Sequence, residues 1–454
     1  MSARSETLRE ALTASPHLAT RRIWGAQADV GLHDLARSTA LGGALAGLAG
    51  CSVLLRVSDP LYAALALVDL DGVARRIVLC PPDLAEADLP TVAQIAEIDA
   101  VVSDGPSPLA GVPVATVALP IRPVNGTPIA DLATEWVMFT SGTSGTPKMV
   151  VHSLAGLVGA IRREPADPVI WGTFYDIRRY GGLQILLRAL LTNASLVITG
   201  PGESFDDFLP RIIARGVTHL TGTPSHWRRL LMTPEAKPLA PRYVRLSGEI
   251  ADQAVLDALS ARFAGVPVGH AYASTEAGVG FEVNDGREGF PADFVGRDGP
   301  VLMKVEDGSL RLRTERAATH YLNADAGPLR DADGFVDSGD MLELRDGRYY
   351  FVGRRNGVIN VGGLKVHPEE VEAVINRHPA VRMSLVKARR NPITGAIVIA
   401  EVVLNPHDQP DDALKAEILA LCRRELPPFK VPAALRIVPE IAITASGKLE
   451  RAIA

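Results

Sequence analysis

The segment WVMFTSGTSGTPKMVVHS, residues 136–153, carries the pattern that decides the fold. Its first four residues are apolar and predict a buried strand. A run of Ser, Thr and Gly follows at once and ends in Pro147 and Lys148. Small residues and glycines let the backbone approach an anion closely, while hydroxyls, amides and the lysine bind it. The pattern therefore predicts a phosphate-binding loop, although it is neither GxxxxGK[ST] nor GxGxxG. An exposed linker is the alternative, but linkers do not usually follow a buried strand directly.

Short apolar runs alternate with helical patterns on both sides of this loop. Buried strands are expected at residues 77–80, 101–103, 136–141, 195–199 and 219–223, and amphipathic helices at 182–191 and 205–215. This alternation favours parallel α/β layers, in which ligands bind beyond the carboxyl ends of the strands. Residues 40–55 are too short to span a bilayer and contain four glycines, so they are expected to form a buried helix, a turn and a strand.

The residue composition and the hydrophobic pattern change at about Phe290. Gly, Asp and Arg become frequent between short strands, as in antiparallel hairpins. Beyond residue 357 a compact α+β pattern begins, with a strand at 358–360, a helix opening at Pro368, a strand at 396–404 and a helix at 411–424. Proline at the first helical position and acids in the first turn are favourable for starting a helix.

Composition narrows the class of protein. The 454 residues are too many for one ordinary core, so two or more domains are expected. Hydrophobic residues make up 47% and charged residues 22% of the chain, as in a globular protein. The net charge of -5 offers no basic field, which excludes nucleic acid and anionic membranes as expected partners.

Cysteine and histidine positions argue against a disulfide framework and a transition-metal site. Cys51, Cys80 and Cys422 lie far apart, which fits a reducing cytoplasm. No apolar segment follows the first arginines, so no secretory signal peptide is expected. The histidines show no paired-ligand spacing; those considered are His152, His219, His226 and His270.

The loop resembles the signature of the adenylate-forming superfamily, which contains acyl-CoA and aryl-CoA ligases, peptide-synthetase adenylation domains and luciferases. The matching loop residues are Thr140, Ser141, Gly142, Thr143, Ser144, Gly145, Thr146 and Lys148. Further matches follow in the family's order: YASTE at 272–276, DSGD at 337–340, GR at 353–354, GG at 362–363, PEEVE at 368–372, LPPFKVP at 426–432 and SGKLER at 446–451. The resemblance extends from about residue 135 to the end.

The resemblance implies a role for each matching residue in adenylation, where charge develops on phosphoryl oxygens. It implies that Thr275 contacts the α-phosphate, Glu276 holds Mg²⁺ and Tyr272 packs on adenine. Asp340 would accept from the ribose hydroxyls with help from Arg354. A helix-capping acid, a turn aspartate and a surface arginine are the alternatives for these charged residues. The remaining candidates for binding ATP or AMP are Ser247, Gly248, Glu249, Ala271, Ala273 and Ser274.

The resemblance also implies a mobile C-terminal domain, because Lys448 would have to reach the carboxylate and α-phosphate from far along the chain. The expected fold class is α/β, with a large N-terminal domain of layered α/β subdomains and a small mobile α+β C-terminal domain. The expected boundaries are 1–353, a hinge at 354–357, and 358–454. Gly362 and Gly363 would line a CoA tunnel or form a plain turn, two interpretations of equal weight. Asn356 replaces the Asp or Lys common at the hinge.

The acid pocket is expected near residues 171–182. Trp171, Phe174 and Tyr175 are candidates for enclosing a flat ring, and Asp176, Arg178 or Arg179 for binding a polar substituent. Core aromatics and a surface ion pair are an equally weighted alternative. Small residues that would leave room for a ring or a branched acid are Gly278, Val279 and Gly280.

Together these features predict an enzyme that adenylates an aromatic or small carboxylic acid with ATP and Mg²⁺ and passes the acyl group to CoA. Other acceptors that remain open are a carrier-protein thiol, an amine, or nitrite in a diazotisation. A nucleotide-binding protein of the same fold without turnover is the alternative from another class. A cytoplasmic location is expected, and an oligomer is compatible with the sequence.

Overall fold

A computed structural model of the chain describes residues 6–15, 17–124, 132–140, 147–163, 167–391, 395–405, 408–444 and 448–449. Within these ranges no helix combines the length and the apolar character needed to cross a membrane. The described chain forms four sheets of five or more strands and one small two-stranded sheet, Ser38–Thr39 with Arg122–Pro123.

An eight-stranded sheet forms the centre of the larger part of the chain. In spatial order its strands are Gly278–Val283, Val268–Ser274, Tyr243–Ser247, His219–Gly222, Val169–Thr173, Ala194–Val197, Arg22–Trp24 and Asp29–Gly31. The six inner strands run parallel and the two edge strands run antiparallel to their neighbours. The parallel α/β layering expected from the alternating pattern is confirmed.

A seven-stranded sheet carries the loop from which the sequence argument started. Its strands are His320–Tyr321, Met149–Ser153, Glu135–Phe139, Arg76–Leu79, Ser52–Arg56, Ala100–Ser103 and Val114–Thr116. The loop joins Glu135–Phe139 to the antiparallel strand Met149–Ser153, with Val137 opposite Val151. The two ends of the loop therefore lie side by side, at one end of a hairpin.

The expectation of a buried helix within residues 40–55 was wrong. The segment Gly42–Leu48 is a 3-10 helix in which Leu48 is the buried residue, and the strand Ser52–Arg56 follows. Glycine destabilises a helix interior and offers no side chain to bury, so GGALAGL does not form a core helix.

Helices cover both faces of the two large sheets. The α-helices of this part are Leu8–Ala14, Leu32–Arg37, Pro60–Leu70, Leu89–Ala96, Leu154–Val158, Tyr180–Leu191, Phe205–Ala214, Pro224–Met232 and Gln253–Arg262. One core cluster joins both sheets around Pro60–Leu70 and Tyr180–Leu191, where Leu186 and Leu187 are completely buried. A second cluster lies beneath the last three helices, on the other face of the eight-stranded sheet.

An antiparallel sheet and a smaller unit complete the fold. The antiparallel strands are Phe290–Pro291, Arg348–Arg354, Val336–Arg345, Ser309–Thr314 and Val301–Glu306. The C-terminal unit has strands Leu364–Val366, Ile359–Val361, Gly395–Leu404, Val381–Asn391 and Ala434–Ile437 and helices Pro368–Ile375 and Asp412–Glu425. It has its own core cluster, which includes Val371, Val402 and Ile418.

Polar contacts join the C-terminal unit to the rest of the chain. Asp252 accepts a hydrogen bond of 2.6 Å from Arg228 Nη2 and one of 3.2 Å from Asn376 Nδ2 of the C-terminal unit. The backbone amide of Leu449 donates to Glu249 Oε1 at 3.0 Å. Leu449 therefore lies just beyond the carboxyl end of the strand Tyr243–Ser247.

Candidate active site

Tyr272 stands at the end of the strand Val268–Ser274, where the register with Gly278–Val283 shifts between Tyr272 and Ala273. Its ring lies nearly parallel to Phe351 at a centroid distance of 5.2 Å and to Phe281 at 5.5 Å. Bulges of this kind redirect a side chain next to a site. Tyr272 is thus held by an aromatic stack at the edge of the eight-stranded sheet.

Asp340 is bound from two sides. The Tyr272 hydroxyl donates to Asp340 Oδ2 at 2.6 Å, and Arg354 Nε donates to Oδ1 at 3.0 Å. Asp340 and Arg354 face each other in neighbouring antiparallel strands, which fixes the pair. Burial and the adjacent Asp340 carboxylate raise the pKa of Tyr272 well above its usual range. Each carboxylate oxygen keeps lone-pair capacity for a further donor, such as a sugar hydroxyl.

Thr275 and Glu276 form the turn between the strands Val268–Ser274 and Gly278–Val283. The Thr275 carbonyl accepts a 2.8 Å hydrogen bond from Nε2 of His152, which is buried. Burial raises the pKa of the Glu276 carboxyl, and the charges of Arg354 and Lys448 partly oppose this. Among the described residues, no side chain forms an ion pair with Glu276. Its carboxylate oxygens are therefore open to a hard cation.

Lys448 of the C-terminal unit reaches this group of charges. A methyl group added to Gly248 would lie 3.9 Å from Lys448 Cε. Burial lowers the pKa of the Lys448 ammonium and the charge of Arg354 lowers it further, whereas Glu249 and Asp340 raise it. Glu249 holds the next residue in place, because its two carboxylate oxygens accept from the amides of Leu449 and Ser225, each at 3.0 Å.

The phosphate loop is described only at its two ends. Residues 141–146, which include Ser141, Gly142, Thr143, Ser144, Gly145 and Thr146, lie outside the described residues. The amide of Thr140 donates to the carbonyl of Lys148 at 2.9 Å, which closes the base of the loop. Buried Asn323 then holds its exit, accepting from Met149 N at 2.7 Å and donating to Pro147 O at 3.1 Å.

Other predicted nucleotide-binding residues lie at the ends of the same strands. Ser247 ends the strand Tyr243–Ser247, and its carbonyl accepts from the Tyr175 hydroxyl at 2.9 Å. Ala271 and Ala273 lie in the neighbouring strand, and Ser274 Oγ accepts from Ala277 N at 2.9 Å. Ser247 and Ser274 thus lie at the carboxyl ends of two neighbouring parallel strands.

The three candidate acid-pocket aromatics do not enclose one space. Trp171 belongs to the core cluster between the two sheets, whereas Phe174 packs on the second cluster and stacks on Phe205 at 5.0 Å. Tyr175 is the residue of the three that hydrogen-bonds to the end of the neighbouring strand, at Ser247. The Asp176 carboxylate forms an ion pair with Arg178 Nη2 at 2.6 Å.

The glycines proposed as pocket walls and tunnel lining have local reasons to be glycine. A methyl group at Gly278 (φ 75°) would meet Arg316 O at 2.3 Å, and one at Gly280 would meet Leu312 Cδ2 at 2.9 Å. Val279 lies between them and is buried. Gly362 and Gly363, with φ values of 59° and 88°, form the turn between Ile359–Val361 and Leu364–Val366.

Two family models match the chain: AMP-binding enzyme over residues 48–309, and AMP-binding enzyme C-terminal domain over residues 370–448. The chain belongs to the AMP-binding enzyme family. The chain is 27% identical over 347 residues to the mitochondrial acyl-coenzyme A synthetase ACSM5 of Rattus norvegicus, covering 69% of this chain and 59% of that protein. It therefore spans about three fifths of the length of that relative.

Solved structures of AMP-binding enzymes share the fold. The anthranilate CoA ligase AuaEII in complex with anthranoyl-AMP superposes with a TM-score of 0.81 at 18% identity, covering 98% of this chain and 95% of that one. The amide bond synthetase McbA of Marinactinospora thermotolerans superposes with a TM-score of 0.77 at 20% identity, covering 98% and 97%. The expected superfamily and fold class are confirmed.

Sequence reasoning missed several residues that the structure places around the site. Asn323 binds the strand at the exit of the phosphate loop, and the amide of Ser225 donates to Glu249. Neither residue lies in one of the recognised motifs. Arg188, Arg245 and Glu282 form a charged group on the face of the eight-stranded sheet that packs against Tyr180–Leu191. They lie in different elements, so no local pattern in the sequence joins them.

Proposed function

We propose that the chain activates a carboxylic acid with ATP, forming an acyl-adenylate and pyrophosphate, and then passes the acyl group to CoA. One observation carries the proposal: Lys448 from the C-terminal unit lies within the electrostatic influence of Asp340, Arg354 and Glu249. These are the groups needed to bind a ribose, balance phosphoryl charge and direct a carboxylate toward it.

Each residue has a proposed part in the attack of the acid's carboxylate on the α-phosphorus. Asp340 would accept from the ribose hydroxyls while Tyr272 and Arg354 hold its carboxylate in place. The adenine would lie near Tyr272, and Thr275 would donate to the α-phosphate. Lys448 would lie between the carboxylate and the phosphoryl oxygens, where its charge counts most as negative charge builds up. Ser141, Gly142, Thr143, Ser144, Gly145, Thr146 and Lys148 would bind the leaving pyrophosphate.

Glu276 is the residue proposed to hold Mg²⁺. Its half-buried carboxylate has no described ion-pair partner, and one carboxylate together with phosphate oxygens is a typical protein environment for this cation. When bound, Mg²⁺ supplies positive charge beside the phosphate oxygens. The residue itself would supply an oxygen ligand at the turn between Val268–Ser274 and Gly278–Val283.

The acceptor is proposed to be CoA after reorientation of the C-terminal domain, residues 358–454, about a hinge at 354–357. A separate core cluster in the C-terminal unit supports movement as one body. The exposed turn at Gly362 and Gly363 would line the pantetheine tunnel. The acyl-CoA synthetase relative supports CoA as acceptor. McbA, an amide bond synthetase, supports an amine as the second candidate.

We also propose a cytoplasmic location, which three free cysteines support, since two of them are buried thiols. A small acid and CoA are the proposed partners. A carrier protein remains the alternative to CoA.

The test is ATP–pyrophosphate exchange across aryl and short acyl acids, followed by mass analysis with CoA, ammonia or nitrite added. Exchange with a CoA thioester as product is the expected result. Exchange with an amide instead would keep adenylation and move the acceptor to an amine. ATP binding without exchange for every acid, including nitrite alone, would leave a nucleotide-binding protein without turnover.

Gly363→Val separates the two proposed half-reactions. The position has φ 88°, so the variant is strained in the turn, but nothing lies within 4 Å of the added carbon. Thioester formation should fall while exchange persists. Gly395→Val, at a second glycine of the same unit with a positive φ (74°), is the matched control for strain alone. Equal losses in both variants would remove the tunnel assignment.

A further inference from the structure

A charged and aromatic group lies along the parallel strands, on the face of the eight-stranded sheet that packs against Tyr180–Leu191. Trp171, His219 and Tyr243 are neighbours in register, and the rings of Trp171 and His219 lie 4.9 Å apart. Arg245 lies on the same face and forms an ion pair with Glu282, Nη1 to Oε1, at 2.6 Å. Arg188 comes from the helix, its Cζ 5.8 Å from the Trp171 ring centroid.

Arg188 differs from buried arginines of the described chain that have acceptors; Arg21, for one, donates to the carbonyls of Ala189 and Leu190. Arg76, Arg178 and Arg348 each pair with a carboxylate, namely Glu135, Asp176 and Asp285. The Arg188 guanidinium makes no hydrogen bond or ion pair with a described residue, and its Nε is buried without a partner. A largely enclosed charge without a direct ion-pair partner is costly, and this one stands beside a second arginine that already pairs with Glu282.

The charges of this group do not balance. Arg188 and Arg245 carry two positive charges against the single carboxylate of Glu282. Burial, together with Arg242 and Arg188, lowers the pKa of His219 to about 4, so this histidine is neutral at pH 7 and leaves the count unchanged. Burial and the Arg245 charge also lower the pKa of Arg188. One anionic group between the two guanidinium groups would balance the charges and supply the missing acceptor.

The helix connects this group to the reaction centre. Tyr180, Gln184 and Arg188 are spaced by four residues and lie on one face of Tyr180–Leu191. At the other end of this polar row, the Tyr180 ring is 5.6 Å from His152, which bonds the Thr275 carbonyl. Eight residues of helix rise about 12 Å, so Arg188 lies roughly one small-molecule length along the helix from Tyr180.

Tyr175 and Glu282 add polar groups on either side of Arg245. The Tyr175 hydroxyl donates to the Ser247 carbonyl, one strand position beyond Leu246 and two beyond Arg245. The Glu282 side chain is 39% exposed, so the charged group borders solvent on that side.

We propose that Arg188 is a specificity-determining residue that binds a second anionic group at the far end of the acid substrate. The inference rests on the proposed adenylation. It names the substrate class as acids with a second carboxylate or an equivalent anion, separated from the reacting carboxylate by a ring or a chain of several carbons. A sulfonate shares this chemistry with a carboxylate.

The first test compares acids that differ only in the second charge. Terephthalate is paired with its monomethyl ester and with 4-sulfobenzoate, and a series of longer α,ω-diacids is paired with their monomethyl esters. In ATP–pyrophosphate exchange the wild type should prefer each favoured diacid over its ester by at least tenfold in kcat/KM, mainly through KM. Arg188→Met should abolish this preference, and Arg188→Lys should retain part of it.

The matched control is Arg215→Met, an exposed arginine that lies over Trp24 and should leave every ratio unchanged. Retained activity of Arg188→Met toward the esters shows that the variant folds. A wild type without preference for the second charge, or an Arg188→Met variant that keeps it, overturns the proposal.

Direct binding separates this inference from the proposed function. Calorimetric titration of the same acid pairs into the wild type and Arg188→Met requires no turnover. Failure of exchange with every acid would count against adenylation alone, whereas equal binding of diacid and ester to the wild type would count against Arg188. A diacid preference in the wild type that is lost in Arg188→Met supports the role of Arg188 in either case.

Discussion

The proposed nucleotide side and the proposed acid side of the site are built in different ways. On the nucleotide side, three short segments, residues 272–276, 337–340 and 353–354, bring Tyr272, Asp340 and Arg354 into direct contact. On the acid side, Trp171, Arg188, His219, Arg245 and Glu282 come from five separate elements spread over more than a hundred residues. Local motifs define the first region, and the register of the sheet defines the second.

This difference follows from what each side has to hold. The nucleotide side pairs its own charges: Asp340 accepts from both Tyr272 and Arg354, and Glu249 accepts from two amides. The acid side keeps one positive charge in excess at Arg188, as described above. The charges of the nucleotide side are already paired before a substrate binds. On the acid side, the substrate itself would supply the negative charge that balances Arg188.

Replacing Lys448 by Ala should have the largest effect. The ammonium lies among Asp340, Glu249 and Arg354, where both sides of the site meet, and its loss removes charge stabilisation during the attack. Exchange should fall by about a hundred- to a thousandfold, with ATP affinity unchanged by calorimetry. Lys415→Ala, on the exposed helix Asp412–Glu425, is the control. Wild-type exchange in Lys448→Ala would remove the lysine from the mechanism.

Asp340→Asn should act on the nucleotide side alone. The amide keeps the shape but loses the charge that Arg354 and Tyr272 bind, and hydrogen bonds to charged groups contribute about 1.5–3 kcal/mol. The KM for ATP should therefore rise by roughly ten- to a hundredfold, while the KM for the acid stays within twofold. Asp298→Asn, at an exposed position, is the control. A matching rise in the KM for the acid would break the separation of the two sides.

The sequence predicted the elements better than their ends. The strand expected at 136–141 is Glu135–Phe139, and the helix expected at 182–191 is Tyr180–Leu191. Apolar periodicity marks the buried centre of an element, but pairing decides where it ends. Here Thr140 already bonds to Lys148 across the base of the loop rather than continuing the strand.

The acid side could not be predicted from local sequence. Trp171 and Phe174 looked like one aromatic cluster, yet they lie in different core clusters, because side chains three positions apart near a strand point to opposite faces. Arg188 sits in an otherwise apolar helical stretch, where it reads as a single surface arginine. Its meaning depends on Trp171, Arg245 and Glu282, which only the strand order brings beside it.

Tyr175→Phe should give a smaller effect, on the acid side alone. The variant loses the 2.9 Å hydrogen bond to the Ser247 carbonyl, a neutral bond of about 1 kcal/mol. The KM for the acid should rise by about fivefold, and the KM for ATP should stay constant. Tyr62→Phe, outside the site, is the control. A rise in the KM for ATP of the same size would show that Tyr175 serves both sides.

The smallest expected effect is a displacement of the pH profile, and it links the two sides through Lys448. Burial and Arg354 lower the pKa of this ammonium, so it loses its proton at a lower pH than an exposed lysine does. Because the charged form is the one that stabilises the attack, exchange should begin to fall on the alkaline side before pH 10.5, the ordinary lysine value. Lys448→Arg should remove this alkaline limb, since guanidinium stays protonated. An unchanged limb in the arginine variant would assign the titration to another group.

The acid limb of the same pH profile gives the complementary check. Because burial raises the pKa of Glu276, its carboxylate is protonated at a higher pH than that of an exposed glutamate. Glu276→Gln should therefore remove the acid limb and leave the alkaline limb in place.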